Sequence, residues 1–300
     1  MFDAGGIIME GILNILKPPG MSSHDVVARM RRITGQRKIG HSGTLDPGAA
    51  GVLPVFLGKA TRLIEYGIEW DKAYRVELTF GGHSNTGDDS SPIIWEKNPC
   101  YPTREEVIDV LSGFVGIQLQ IPPMYSALKV NGRKLYELAR EGKTIEREPR
   151  TIEISSIKLL DYQPPILRFD VSCSKGTYIR TLCEDIAAQL GLSAVMTFLL
   201  RTRVGEFCID QCELPDESIK WNTRLHVAED AVRHFPEICL SNAEAVKFCF
   251  GQRIELIEEK NKMLRELVRV TNGEILIGIG KVVTGILMAS KVLHDLRKQQ

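Results

Sequence analysis

Asp46 lies in the stretch Gly40-His41-Ser42-Gly43-Thr44-Leu45-Asp46-Pro47-Gly48-Ala49-Ala50-Gly51, which is too rich in glycine and proline for a regular element. A carboxylate flanked by Gly43, Pro47 and Gly48 stands on a stiff loop that a ligand can approach closely. Such a group can act as a nucleophile or accept a proton. Asp-Pro is equally an ordinary turn former, so on local grounds the chemical and the structural readings stand side by side. Other reactive groups offer less. The seven cysteines are odd in number and spread along the chain, which predicts reduced thiols, and Cys208 and Cys212 have no Cys or His neighbours to complete a zinc site. There is no phosphate loop and no Gly-x-Gly-x-x-Gly run, so neither a nucleotide cofactor nor a metal is expected.

Charge gives a divided answer. The chain carries 38 Lys and Arg against 38 Asp and Glu, a net charge of zero, which counts against a nucleic-acid partner. Two local clusters cut the other way. Arg29, Arg31, Arg32, Arg37 and Lys38 crowd one stretch, and Lys129, Arg133, Lys134, Arg140, Lys143, Arg147 and Arg150 crowd another. Each reads as either a solvated face or an RNA-binding patch.

The elements around these residues are legible from periodicity. Ser22 and Asp25 form a capping box ahead of Val26, Val27, Met30 and Ile33, so a basic amphipathic helix is expected to run until Gly35. Tyr74, Val76, Leu78 and Phe80 alternate with polar residues and predict a half-buried strand with Tyr74 on its apolar side. Thr103 with Glu106 opens another helix that Gly113 can end. Leu167, Phe169, Val171 and Cys173 mark a second strand leading to a helix over Leu182, Ile186 and Leu190, closed by Gly191, with Arg180 in its first turn. Strands and helices neither strictly alternate nor segregate, so the large domain is expected to be α+β. After about Pro236 the texture changes to a Ser241-capped helix and short strands joined at Asn272-Gly273 and Thr284-Gly285, a small, mostly β module. The expected split is 1–236 and 237–300, closely joined. No apolar run approaches the roughly 20 residues of a membrane helix, and no signal peptide is evident, so a cytoplasmic protein is expected.

Several ordered segments together resemble the tRNA pseudouridine synthase B family. They are Asn14-Ile15-Leu16-Lys17-Pro18-Pro19-Gly20-Met21-Ser22-Ser23, Ile39 to Pro47, Lys72-Ala73-Tyr74-Arg75-Val76, Gln120 to Lys129 with Gly132 and Leu135-Tyr136, and Cys173 to Leu182. The likeness spans Asn14 to about Phe207, and the tail resembles the PUA module that ends many members. The resemblance implies a pseudouridine synthase fold with a mixed, largely antiparallel sheet and flanking helices, plus a PUA-like C-terminal domain. It also implies isomerisation of a uridine in the T-arm loop of tRNA on a flipped-out base, with no cofactor and no guide RNA, by a protein acting as a monomer.

Residue by residue, the resemblance makes Asp46 the catalytic aspartate, Arg180 its partner, and Tyr74 the ring that stacks on the uracil and takes the C5 proton. His41 is similar to the histidine that helps the T-loop take its flipped form, Tyr178 and Leu199 to residues lining the uridine pocket, and Lys17 and Lys129 to basic positions near bound RNA. The segment from about 122 to 150 corresponds to an insertion that clamps the T-arm. His83-Ser84-Asn85-Thr86-Gly87-Asp88 departs from the family pattern at Ser84 and Asn85, so no catalytic role is assigned to that loop. Residues 1–10 precede the family-like start, and Met9 is an alternative initiator. Three classes compete: this enzyme, a noncatalytic RNA binder on the same fold, and an unrelated carboxylate enzyme. Asp46, Tyr74 and Arg180 together separate the first from the second, because a binder needs the groove but not that triplet. The basic insertion and the small tail module separate both from the third. Within the enzyme class, the tail lacks a long Lys-rich extension, which favours the standalone enzyme over a guide-RNA-dependent relative.

Overall fold

The computed structural model describes residues 10–130, 132–256 and 267–294; Met9 lies outside them. Capping chemistry opens the helices where the sequence places it. Ser22 accepts from the Asp25 backbone N–H while the Asp25 carboxylate takes the Ser22 N–H at 2.8 Å, and Gly35, at φ 68°, ends the helix Ser23–Thr34. The same reciprocal bonding at Thr103/Glu106 and Ser241/Glu244 opens the helices Arg104–Gly113 and Asn242–Cys249.

The helices Ser23–Thr34 and Arg104–Gly113 flank a sheet of nine described strands. Its main path runs Gly11–Lys17, Ala50–Leu57, Ala194–Val204, Lys72–Phe80, Ile166–Cys173, Arg150–Gln163, Gly116–Gln120. Every pairing is antiparallel except one, where Leu200 and Arg201 run parallel beside Ala50 and Gly51. The expected α+β class with a mixed, largely antiparallel sheet is therefore observed. Val76, Leu78 and Phe80 are wholly buried beside Phe169 and the helix Ile179–Gln189. Burial of this kind is worth about 1.5–3 kcal/mol per side chain. The reverse face carries the exposed pairs Arg75–Asp170 and Arg168–Glu77, each worth roughly 0.2–1 kcal/mol. The apolar face thus decides which way the Lys72–Phe80 strand points, and it points Tyr74 inward.

One expectation needs correction. The stretch from Gly40 to Gly51 is not all loop: it begins in the strand Ile39–His41 and ends in Ala50–Leu57, leaving residues 42–49 irregular. Nearly every residue of Ala50–Leu57 is buried, and a strand covered on both faces shows no period-two pattern. Gly51, at φ 123°, must be glycine, because a Cβ there would lie 2.2 Å from the Arg201 carbonyl oxygen.

The terminal module is a five-stranded sheet in the order Glu237–Cys239, Leu267–Asn272, Ile275–Val283, Ile286–Val292, Ile254–Glu255, covered by Asn242–Cys249. It is PUA-like, as expected. Leu276, Ile279 and Leu293 share one apolar cluster with Ile12, Phe56 and Leu63 of the main sheet region, and Lys291 pairs with Glu65 at 2.7 Å.

Candidate active site

The irregular segment holding Asp46 is bolted down on all sides. Ser23 Oγ accepts the Leu45 N–H at 2.9 Å and donates to the Leu45 carbonyl at 3.3 Å; Gly20 N–H donates to the Pro47 carbonyl at 2.9 Å; Ser42 N–H donates to the Pro54 carbonyl at 3.2 Å. Two buried cations finish the floor. Lys17, 0% exposed, donates to the carbonyls of Pro18, Pro47 and Ala49 at 2.9, 3.2 and 2.6 Å. Arg201, 1% exposed, donates through Nε to the Val52 carbonyl at 2.8 Å and through Nη2 and Nη1 to those of Gly43 and Thr44 at 3.1 and 3.5 Å. Backbone carbonyls of the irregular segment and its flanks thereby gain buried donors.

Lys17, which the resemblance places near bound RNA, is a buried residue of this floor. Its ammonium lies under the Asp46 loop rather than on a surface that RNA can touch, and burial lowers its pKa to about 8. Arg201 was not singled out from the sequence at all. Its signal was faint, because bulges between Met196 and Phe198 and between Arg201 and Arg203 break the alternation of the strand.

Above this floor Asp46 meets Arg180. The guanidinium Nε stands 3.2 Å from Asp46 Oδ2 and 3.9 Å from Asp88 Oδ2. Nη1 donates to the Thr86 carbonyl at 2.8 Å and Nη2 to that of Tyr125 at 2.9 Å, so the fork is held from two sides and its Nε edge is left for the acids. The Arg180 side chain is 8% exposed and that of Asp46 is 41% exposed. The cation is fixed while the carboxylate remains reachable. Burial pushes the Asp46 carboxyl up; Arg180 pulls it down, and Asp88 pushes it up further. The loop from His83 to Asp88, assigned no catalytic role from sequence, thus supplies a carbonyl and a second carboxylate to the arginine. Asp88 is itself fixed by the Thr86 hydroxyl at 2.6 Å and the Ser90 N–H at 3.1 Å.

The residue before Asp46 anchors its loop in apolar core. Leu45, Tyr74, Ile179 and Leu199 belong to one buried cluster, and Tyr74 pairs across strands with Arg201. Burial pushes the Tyr74 phenol up to about 12, although the Arg201 charge pulls the other way, so the group is neutral at neutral pH. Tyr178 precedes the helix of Arg180, and the Gln120 amide grips its backbone on both sides, accepting its N–H at 2.8 Å and donating to its carbonyl at 3.1 Å. His41 sits where its strand enters the loop, with its ring edge-on to His24 at 5.7 Å; burial lowers its pKa to about 4. Lys129 is exposed on a hairpin, Lys129–Val130 with Arg133–Lys134, far from this floor in character. Asp46 and Arg180 meet in an ion pair, Tyr74 and Leu199 share the core cluster of Leu45, Tyr178 feels the charges of Arg180 and Asp46, His41 opens the loop, and Lys129 lies on the insertion's hairpin. None of the seven cysteines, all described, forms a disulfide, and no group of three or more metal-ligating side chains occurs among the described residues.

A mixed, largely antiparallel sheet that sets a loop-borne aspartate against a helix-borne arginine fits a pseudouridylate synthase, and the comparisons carry that class to a family. The profile of the TruB family pseudouridylate synthase (N terminal domain) matches residues 31–179, and that of pseudouridine synthase II TruB, C-terminal, matches residues 236–293. A tRNA pseudouridine synthase B of Symbiobacterium thermophilum is 46% identical over 81% of this chain and 82% of its own length. One of Pelotomaculum thermopropionicum is 42% identical over 91% of both. A solved Cbf5-Nop10-Gar1 complex contains a chain similar at TM-score 0.71 and 26% identity, covering 95% of this chain and 85% of that one. The chain belongs to the TruB family of pseudouridylate synthases.

Proposed function

We propose that the protein converts one uridine in the T-arm loop of tRNA to pseudouridine, with Asp46 acting on a base flipped out of its stack. The carrying observation is the Arg180–Asp46 pair, in which a buried, doubly tethered guanidinium holds a partly exposed carboxylate 3.2 Å away. Isomerisation breaks the bond from ribose C1' to N1 and forms one from C1' to C5; the C5 proton leaves and N1 gains one, so no oxidant, water or cofactor enters the balance. An oriented carboxylate suits either covalent attack or removal of a ribose proton. Arg180 keeps Asp46 aimed and offsets the burial that favours its neutral form. Tyr74 and Leu199 offer the faces between which a flipped base stacks, at a cost of a few kcal/mol for unstacking. A neutral, buried phenol supports the stacking role of Tyr74 more than a role as a standing base.

The relatives named tRNA pseudouridine synthase B, at 46% and 42% identity, support tRNA as substrate. Action without a guide is part of the proposal, and the chain seen in an H/ACA RNP stands lower, at 26%. The insertion over 122–150 and the unit 237–300 serve as RNA-binding parts of a cytoplasmic monomer, with His41, Tyr178 and Lys129 on the RNA side. Among the described residues, no helix is long and apolar enough to cross a membrane.

The test is guide-free conversion of a T-stem-loop transcript, followed by chemical mapping of pseudouridine. Asp46→Asn should lower conversion by at least about ten-thousandfold while changing RNA affinity less than about threefold. Absence of product with the wild type, or undiminished product with Asp46→Asn, overturns the reading.

A further inference from the structure

The helix Ser23–Thr34 turns a stripe of residues to solvent that nothing above explains. His24, Ala28 and Arg31 recur at i, i+4 and i+7, all exposed, with Arg32 beside them. The stripe starts at the site. The His24 ring meets His41 edge-on, and Arg31 Nη2 donates at 3.1 Å to the carbonyl of Ile39, two residues before His41. It continues past the Gly35 turn into Arg37 and Lys38, both exposed. From His24 to Arg32 the helix rises about 12 Å, so the cations lie one short reach from the candidate active site, with the small Ala28 between.

Their charge is unspent. Among the described residues no carboxylate forms an ion pair with Arg31, Arg32, Arg37 or Lys38, whereas Arg29, on the flank, faces Asp216. The open sheet face is different, since Arg75 is paired with Asp170 and Arg168 with Glu77 and Asp161. The helix dipole gives Arg31 and Arg32 a structural use at the C-terminal turn. That explanation stops at the helix end, and Arg37 and Lys38 lie beyond it.

We propose that this ridge is a second RNA contact, which binds phosphates of the base-paired T-arm stem as it leaves the loop held over Asp46. The proposal rests on the uridine-isomerising reading above. Four cations in line, uncompensated and continuous with the candidate site, complement a duplex backbone, where affinity comes from releasing condensed counterions rather than from reading bases.

The triple variant Arg32→Gln/Arg37→Gln/Lys38→Gln spares Arg31 and its bond to Ile39. Its Kd for an isolated T-stem-loop should rise roughly tenfold near 0.1 M salt, and the slope of log Kd against log salt should become shallower by about two. The turnover rate at saturating RNA and the urea midpoint should match the wild type, and whole tRNA should show the same loss as the stem-loop. An unchanged slope on both substrates overturns the ridge as a contact. A loss confined to whole tRNA places the ridge on another arm and overturns the stem assignment. A wild type that binds with the expected slope yet makes no pseudouridine would sink the reaction reading and leave the ridge standing.

Discussion

Two sets of cations divide the labour of this molecule. Lys17, Arg180 and Arg201 are buried, and most of their donors are bound to backbone carbonyls of the Asp46 loop and its neighbours. Lys129, Arg133, Arg140, Lys143 and Arg150 are exposed on the insertion, where Arg133 and Lys143 share Glu141 and Arg140 lies over the Tyr136 ring. A buried cation with a fixed set of acceptors loses heavily when any part is removed, because the acceptors are stranded in a medium that cannot solvate them. An exposed one exchanges its partner for water at little cost. The first set is therefore suited to holding geometry, and the second to meeting a partner that arrives from solution.

The sharpest break of that contrast is Arg201→Met. The carbonyls of Val52, Gly43 and Thr44 lose their donor together, and at about 1–3 kcal/mol for each group left unsatisfied the total should reach roughly 3–5 kcal/mol. Urea unfolding measures it. Asp46→Asn takes one charge partner from Arg180, which keeps the Thr86 and Tyr125 carbonyls and Asp88, and should cost less, about 1–3 kcal/mol. A fully stable Arg201→Met protein would mean that apolar packing, not the polar floor, holds the loop.

The next effect is a pH dependence carried by His41. Burial lowers its pKa to about 4, with the charges of His24 and Arg201 adding to the shift, whereas an unfolded chain protonates histidine near 6.5. Between those values the unfolded state binds the proton and the folded state does not, so acidification favours unfolding. Stability is full above about pH 6.5 and falls as the pH drops toward about 4, by on the order of 3 kcal/mol from this group. His41→Gln should remove that part of the fall in urea midpoints measured at pH 4.5 and 7. An identical pH profile for wild type and variant would assign the acid sensitivity elsewhere.

Legibility in the sequence follows the same division. The helix Ser23–Thr34 was readable because its capping box and its terminating Gly35 are local signals, and the Lys72–Phe80 strand because one of its faces is wet. Asp46 and Arg180 were readable through their motifs. The resemblance places Lys17 near bound RNA, and only the fold reveals the three carbonyls around its ammonium. Arg201 and the strand Ala50–Leu57 escaped for a related reason. In Ala50–Leu57 burial on both faces erases alternation, around Arg201 bulges break it, and the single parallel pairing that joins the two connects residues about 150 positions apart. Asp88 was passed over with its loop because the motif around it had changed, although its contact with Arg180 depends on position in space rather than on Ser84 or Asn85.

The smallest effects belong to the insertion, and they test whether its cations are as free as their exposure suggests. Lys129 is exposed with no ion pair to a carboxylate among the described residues, whereas Arg133 is held by Glu141. Lys129→Gln should weaken T-stem-loop binding a few-fold and flatten the salt slope by about 0.7–0.9, the signature of one phosphate contact. Arg133→Gln should do less, because its charge is already answered within the insertion. Equal losses in titrations at several salt concentrations would show that RNA pulls Arg133 away from Glu141 on binding. The insertion would then be a surface remodelled by its partner, whereas the floor beneath Asp46 is built before the partner arrives.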